Sequence, residues 1–189
     1  AIDAAMAVMA QRNIELPIMV SATVSDLAGR TLSGQTLEAF LASISSYPIF
    51  SVGLNCSFGA DQMIGFLRQL ARRAPYYISA YPNAGLPNSM GLYDETPESM
   101  APKIGAMIDE GLVNIIGGCC GTDEHFIAEY LPLVAGKTPH RPAEASPYMQ
   151  LSGLELLEVT PEVHFVNVGE RCNVAGSRKF LRLIKEKQY

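Results

Sequence analysis

No run of about 18 apolar residues occurs anywhere in the 189-residue sequence, so it offers no membrane-spanning helix. Its start lacks a basic segment, an apolar core and a small-residue cleavage site, so no secretory signal is legible. Charge is sparse, with 17% of residues Asp, Glu, Lys or Arg and a net charge of −5. A nucleic-acid binder would show a basic stripe, and none is present. Cysteine is scarce too. Cys56, Cys119, Cys120 and Cys172 are too few and too scattered for a disulfide framework. Thiols without a secretion signal fit a reducing cytoplasm, where unusual cysteine placement points to metal or catalysis. There is no Cys-x-x-Cys pair and no His-Glu-x-x-His helix, so the standard zinc signatures are missing. The initiator Met is missing as well. The opening Ala1-Ile2-Asp3-Ala4-Ala5-Met6 reads as the middle of a helix, which leads us to expect a piece of a longer chain.

What is present is an apolar fraction of 48%, enough for a sizeable core, and an alternation of two periodicities. Ile18-Met19-Val20-Ser21-Ala22-Thr23 reads as a strand, and Leu37, Phe40, Leu41 and Ile44 then follow helical spacing. Phe50-Ser51-Val52-Gly53-Leu54-Asn55 is a second strand, followed by helical Met63, Phe66, Leu67 and Leu70. Tyr76-Tyr77-Ile78-Ser79-Ala80-Tyr81 is a third, followed by Met100, Ile104, Met107 and Ile108. Val113 to Ile116 is a fourth, followed by Ile127, Tyr130, Leu131 and Val134 on a helix that Thr122 would cap. Four βα units predict an α/β fold with parallel strands and helices outside. An open doubly wound sheet and part of a (β/α)8 TIM barrel both satisfy this pattern. In either, chemistry gathers at the C-terminal strand ends. Cys56 and the Cys119-Cys120 pair therefore fall on one rim, from strands far apart in sequence.

The pattern stops at Gly136. Residues 137–162 are rich in Pro, Ala, Ser and Glu and read as an ordered linker or a flexible tether. His164-Phe165-Val166-Asn167-Val168 then reads as a new strand, followed by a polar loop and a helix over 178–187. The expected division is 1–136 for the first domain, 137–162 for the linker and 163–189 for the opening βα unit of a second. The basic run Arg178, Lys179, Arg182, Lys185 and Lys187 reads as a solvated helix face.

Three cysteines at one rim are either packed as small apolar groups or hold a metal. Zinc takes Cys sulfur in tetrahedral geometry, and catalytic sites keep one position open. Gly117, Gly118 and Gly121 would let the backbone bend so that neighbouring sulfurs face one ion. A thiolate-rich zinc site suits thiol activation, because a free thiol near pKa 8.5 is mostly protonated at neutral pH and a metal-bound one is not.

Longer stretches carry a resemblance. Gly29-Arg30-Thr31-Leu32-Ser33-Gly34-Gln35, Gly53-Leu54-Asn55-Cys56-Ser57-Phe58-Gly59, Tyr81-Pro82-Asn83-Ala84-Gly85-Leu86-Pro87-Asn88 and Gly117-Gly118-Cys119-Cys120-Gly121-Thr122 resemble the homocysteine-binding domain of the cobalamin-dependent methionine synthase family. The segment from Phe165 to Ser177, with Gly169-Glu170-Arg171-Cys172-Asn173, is similar to the start of that family's pterin-binding domain. The resemblance implies a pair of TIM barrels, with this chain holding four βα units of the first barrel's second half and the opening of the second. It implies Zn2+ on Cys56, Cys119 and Cys120, with Asn83 as a weak zinc ligand or substrate contact and Glu170 and Asn173 at the pterin. Cys172 stands where relatives commonly carry Thr, which argues against a metal role for it. The implied reaction moves a methyl group from methyl-cobalamin, carried by a cobalamin-binding domain, to the thiolate of homocysteine, with 5-methyltetrahydrofolate (methyltetrahydrofolate) recharging the cobalamin. The implied fragment would be inactive alone. The rivals are a homocysteine methyltransferase using a betaine or sulfonium donor, and a non-catalytic zinc-binding half-barrel.

Overall fold

The computed structural model describes residues 1–166, 174 and 176–188. Its first compact unit spans Ala1–Glu158 and its second Val159–Tyr189. The first unit opens with helix α1 (Ile2–Arg12), whose Asn13 cap adopts a left-handed conformation. Then come β1 (Ile18–Ala22), α2 (Leu37–Ile44), β2 (Ile49–Gly59), α3 (Ala60–Arg73), β3 (Tyr77–Asn83), α4 (Pro97–Asp109), β4 (Ile115–Ile116) and α5 (Glu124–Val134). The four strands form one parallel sheet in the order β1-β2-β3-β4. A doubly wound sheet reverses at a switch point. These four strands run in sequence order without one, as neighbouring strands of a barrel do.

Register explains the core. Val20 pairs with Val52, which pairs with Ile78; Ala22 pairs with Leu54, which pairs with Ala80. These residues share one face, because side chains alternate along a strand. Val52, Leu54, Ile78 and Ala80 are buried in one cluster with Leu37 and Leu41 of α2, Met63, Leu67 and Leu70 of α3, and Met100, Ile104 and Met107 of α4. Three of the helical stripes read from sequence are thus the buried faces. The fourth differs: α5 buries Phe126 and Tyr130, and leaves Ile127, Leu131 and Val134 exposed. Of the sequence stripe only Tyr130 is packed, joined by Phe126 and the partly buried Leu133. The cap differs too. Asp123, not Thr122, caps α5, accepting from His125 N at 3.0 Å. Thr122 Oγ1 instead donates to the Cys119 carbonyl at 2.7 Å. At α4, Thr96 and Ser99 form a reciprocal capping box ahead of the first turn.

Residues 137–158 are ordered as part of the first unit. His140 N donates to Val113 O, Asn114 Nδ2 to His140 O, and Ala143 N to Ala74 O. Strands β5 (Met149–Ser152) and β6 (Leu156–Val159) pair as a two-stranded sheet, which the Pro-rich composition does not announce. Ser152 Oγ donates to Ala39 O at 2.7 Å, Gln35 Nε2 donates to Ser152 Oγ at 2.8 Å, and Arg30 pairs with Glu155. In the second unit, α6 spans Arg178–Lys185, two residues shorter than the sequence reading, and Ser177 caps it. Residues 164–166 are not in a strand. The remainder of that expected strand, and Glu170, Cys172 and Asn173, lie outside the described residues.

Candidate metal centre

The C-terminal end of β2 is irregular in a way that serves Cys56. Asn55 pairs with Tyr81 and Gly59 with Asn83, so four steps along β2 match two along β3. Cys56 and Ser57 sit inside this bulge with φ of 61° and 62°. Non-glycine residues in the left-handed region carry strain of about 1–3 kcal/mol each. That strain turns the Cys56 side chain out of the pleat towards the chain that follows β4.

There the backbone continues alongside β3. Gly117 N donates to Ala80 O at 3.0 Å, Cys119 N to Pro82 O at 2.9 Å, and Ala84 N to Cys120 O at 2.9 Å. Two glycines permit the tight path. A Cβ on Gly118 would fall 2.2 Å from Thr122 Oγ1, and one on Gly121, which has φ +79°, would fall 2.5 Å from Tyr93 Cβ. Neither side chain nor backbone has room for it.

The result is a sulfur triad. Cys56 Sγ lies 3.7 Å from Cys120 Sγ, and Cys119 Sγ lies 3.9 Å from Cys120 Sγ. All three sulfurs are within 4.8 Å of one another. A disulfide would bring two of them to about 2.05 Å, and none is so joined. Zinc–sulfur bonds of about 2.3 Å in a tetrahedron place sulfurs about 3.8 Å apart. The spacing therefore fits three corners of a zinc tetrahedron and leaves a fourth for another ligand. Soft thiolate donors select zinc over magnesium or calcium.

The electrostatics are uneven. The Ser57 backbone N–H holds the Cys56 thiol below its ordinary value, assisted by Cys120, Cys119 and Asn83 and opposed by burial. Burial, followed by the neighbouring Cys120 and Cys56, pushes Cys119 up to about 11. A divalent cation would offset this penalty by favouring the deprotonated sulfur. Asn83, only 3% exposed, accepts from Cys120 N at 3.1 Å through its Oδ1. Its side chain thus ties the two cysteine-bearing segments together.

Sequence reasoning brought Cys56, Cys119, Cys120 and Asn83 to one rim, and they are adjacent there. His125 is exposed and His140 is buried beneath β4, both apart from the triad. Of the tyrosines, Tyr81 packs over Gly117, where a Cβ would meet its ring at 2.8 Å, and Tyr77 meets Phe50 in a tilted contact with centroids 5.1 Å apart. Sequence reasoning missed Ser57 and Tyr93. No residue type marks Ser57, whose role comes from backbone geometry. Tyr93 lies in the loop after Pro87-Asn88, where the only cue was an aromatic between glycine and an acidic pair.

A parallel α/β scaffold with a cysteine triad at its C-terminal strand ends defines a class of site, one whose donor set is compatible with a soft metal such as zinc. The model of one family, homocysteine S-methyltransferase, matches residues 1–131, and the chain belongs to that family.

Proposed function

We propose that this chain carries the zinc and homocysteine site of a methionine-forming methyltransferase of the cobalamin-dependent type. The observation that carries this reading is the sulfur triad, with edges of 3.7 and 3.9 Å against the roughly 3.8 Å of a zinc tetrahedron. Zinc bound there supplies acidity to an incoming thiol, so that it is held as a nucleophilic thiolate at neutral pH. Cys56, Cys119 and Cys120 are the ligands on this reading. Asn83 orients Cys120 through its backbone N–H and stands beside Cys56, where it is also placed as a weak oxygen ligand or substrate contact. Homocysteine would present its sulfur to the metal held by these three cysteines and would accept the methyl group there, giving methionine.

The donor we assign is methyl-cobalamin on a separate cobalamin-binding domain, recharged from 5-methyltetrahydrofolate. What supports it over a betaine or sulfonium donor is the resemblance of the Gly169-Glu170-Arg171-Cys172-Asn173 segment to a pterin-binding opening, with Glu170 and Asn173 as pterin contacts. The domain limits 1–136, 137–162 and 163–189 belong to the same proposal, as does a cytoplasmic location. On this reading the chain works only as part of a larger enzyme.

The test is zinc analysis with sulfur counting by X-ray absorption. About one zinc per chain is expected, with three sulfur neighbours rising to four when homocysteine is added. Cys56→Ser, Cys119→Ser and Cys120→Ser should each lose the metal, and Cys172→Ser should keep it. Absence of zinc from folded protein, or a sulfur count unmoved by homocysteine, would overturn the reading.

A further inference from the structure

The sulfur triad depends on one separation, that between the Cys56 bulge at the end of β2 and the Cys119-Cys120 turn. Cys56 Sγ lies 3.7 Å from Cys120 Sγ. Zinc–sulfur bonds have a fixed length, so a shift of one segment against the other is felt at the ion. Between the two segments runs the end of β3. Asn83 Oδ1 accepts from Cys120 N, and Ala84 N donates to Cys120 O. Gly85 comes next, left-handed with φ of +81° and its N–H on the Asn83 carbonyl. On one side it abuts β2, since a Cβ on Gly59 would fall 3.1 Å from Gly85 Cα. On the other it abuts Glu95, since a Cβ on Gly85 would fall 3.1 Å from Glu95 Cγ. Gly85 is thus held between the strand that carries Cys56 and a carboxylate side chain.

Helix α4 keeps Glu95 there. The loop that leaves Gly85 is closed by an antiparallel bridge between Pro87 and Tyr93. Asn88 stiffens it, accepting from Met90 N and Leu92 N and donating to Asp94. The loop therefore brings Glu95 back over Gly85, just ahead of the Thr96 cap of α4. Side chains on a helix lean towards its N-terminus. Lys103 reaches back along α4 to this place, and its Nζ donates to Glu95 Oε1. The Glu95 side chain is 16% exposed and that of Lys103 34%. Glu95 Oε2 is buried and has no hydrogen-bond partner among the described residues. A carboxylate in such a place is strongly disfavoured once its counter-ion is removed. Without Lys103, Glu95 would swing to water and leave Gly85.

We propose that Glu95 and Lys103 are positioning residues of the metal centre: their ion pair holds Glu95 as a wedge on Gly85, which keeps the Asn83-Ala84 support of Cys120 against the end of β2 and so sets the spacing of the sulfurs. This rests on the zinc reading above. The test compares Lys103→Met, which keeps the stem and removes the charge, with Lys103→Arg, which keeps the charge. In the full chain, zinc affinity is measured by chelator competition, the ligand-field bands are recorded with Co2+ in place of zinc, and the metal-free protein is melted. Lys103→Met should bind zinc about tenfold more weakly. Its Co2+ bands should shift, because the three sulfurs no longer sit at tetrahedral corners, and Lys103→Arg should restore both. Glu95→Gln, which keeps the shape and removes the charge, should match Lys103→Met and replaces it if that variant fails to fold. Zinc affinity and Co2+ bands unchanged in the charge-removing variants, even with a lower melting temperature, would mean that the pair only braces the loop. That outcome overturns the inference while leaving the zinc reading intact. Wild-type protein that takes up no metal overturns both.

Discussion

Asn83 shows how much of the site hangs on one side chain. It is nearly fully buried on β3, which runs between the two segments that supply sulfur, and its Oδ1 satisfies the Cys120 N–H. Removing it leaves the part-buried Cys120 N–H without this partner and loosens the Cys119-Cys120 turn, which keeps only its backbone bonds to Pro82 and Ala84. Second-shell losses of this kind cost about 10–100-fold in metal affinity. Asn83→Ala is therefore expected to bind zinc that much more weakly, measured by chelator competition, with the far-ultraviolet circular dichroism unchanged. Unaltered affinity would show that the backbone bonds to β3 hold the cysteine turn in shape without the Asn83 side chain. At this scale the sequence was most informative where chemistry and strand ends coincide. The cysteines were legible because two strand endings could be counted. Ser57 was not, since a left-handed backbone at a serine has no compositional sign. Tyr93 was not, since the Gly121 turn it lies against is 28 residues away across a loop.

At the scale of elements, the buried stripes of α2, α3 and α4 were readable because one face of each meets the sheet, and period 3.6 records that burial. The stripe of α5 misled because apolar residues on it exceed what the sheet covers. The segment 137–158 was opaque for a different reason. Its order comes from single hydrogen bonds to distant residues, which leave no periodicity. His140 is its deepest residue, 7% exposed, with Nδ1 against the Gly111 carbonyl. Burial lowers its imidazole below the usual value, partly offset by Gly111. The unfolded chain therefore binds a proton there that the folded chain refuses. Stability from this group is present above the unfolded pKa of about 6.5 and is lost as pH falls below it, until the depressed folded value is passed. In metal-free protein, where cysteine ligation does not intrude, the urea midpoint should fall between pH 7.5 and 5.5 by more in wild type than in His140→Gln. Equal pH slopes would place the titration elsewhere.

The whole molecule poses a question of boundaries. Composition sets the end of the first domain at Gly136, yet the first compact unit runs to Glu158. The two limits make opposite predictions. Ending the chain at Gly136 removes the His140–Val113, Ala143–Ala74 and Thr36–Leu154 backbone bonds and uncovers the groups they satisfied. At roughly 1 kcal/mol each, the loss is on the order of 3 kcal/mol, a large share of what a domain of this size has to spare. Ending it at Glu158 removes none of these. A chain of residues 1–158 should thus melt as cooperatively as the full sequence and hold the same zinc, whereas 1–136 should melt lower or not fold. If the two truncations prove equally stable, residues 137–158 contribute nothing to the first unit. The strands β5 and β6 would then be a passenger on it, and the Pro-rich composition would have given the better boundary.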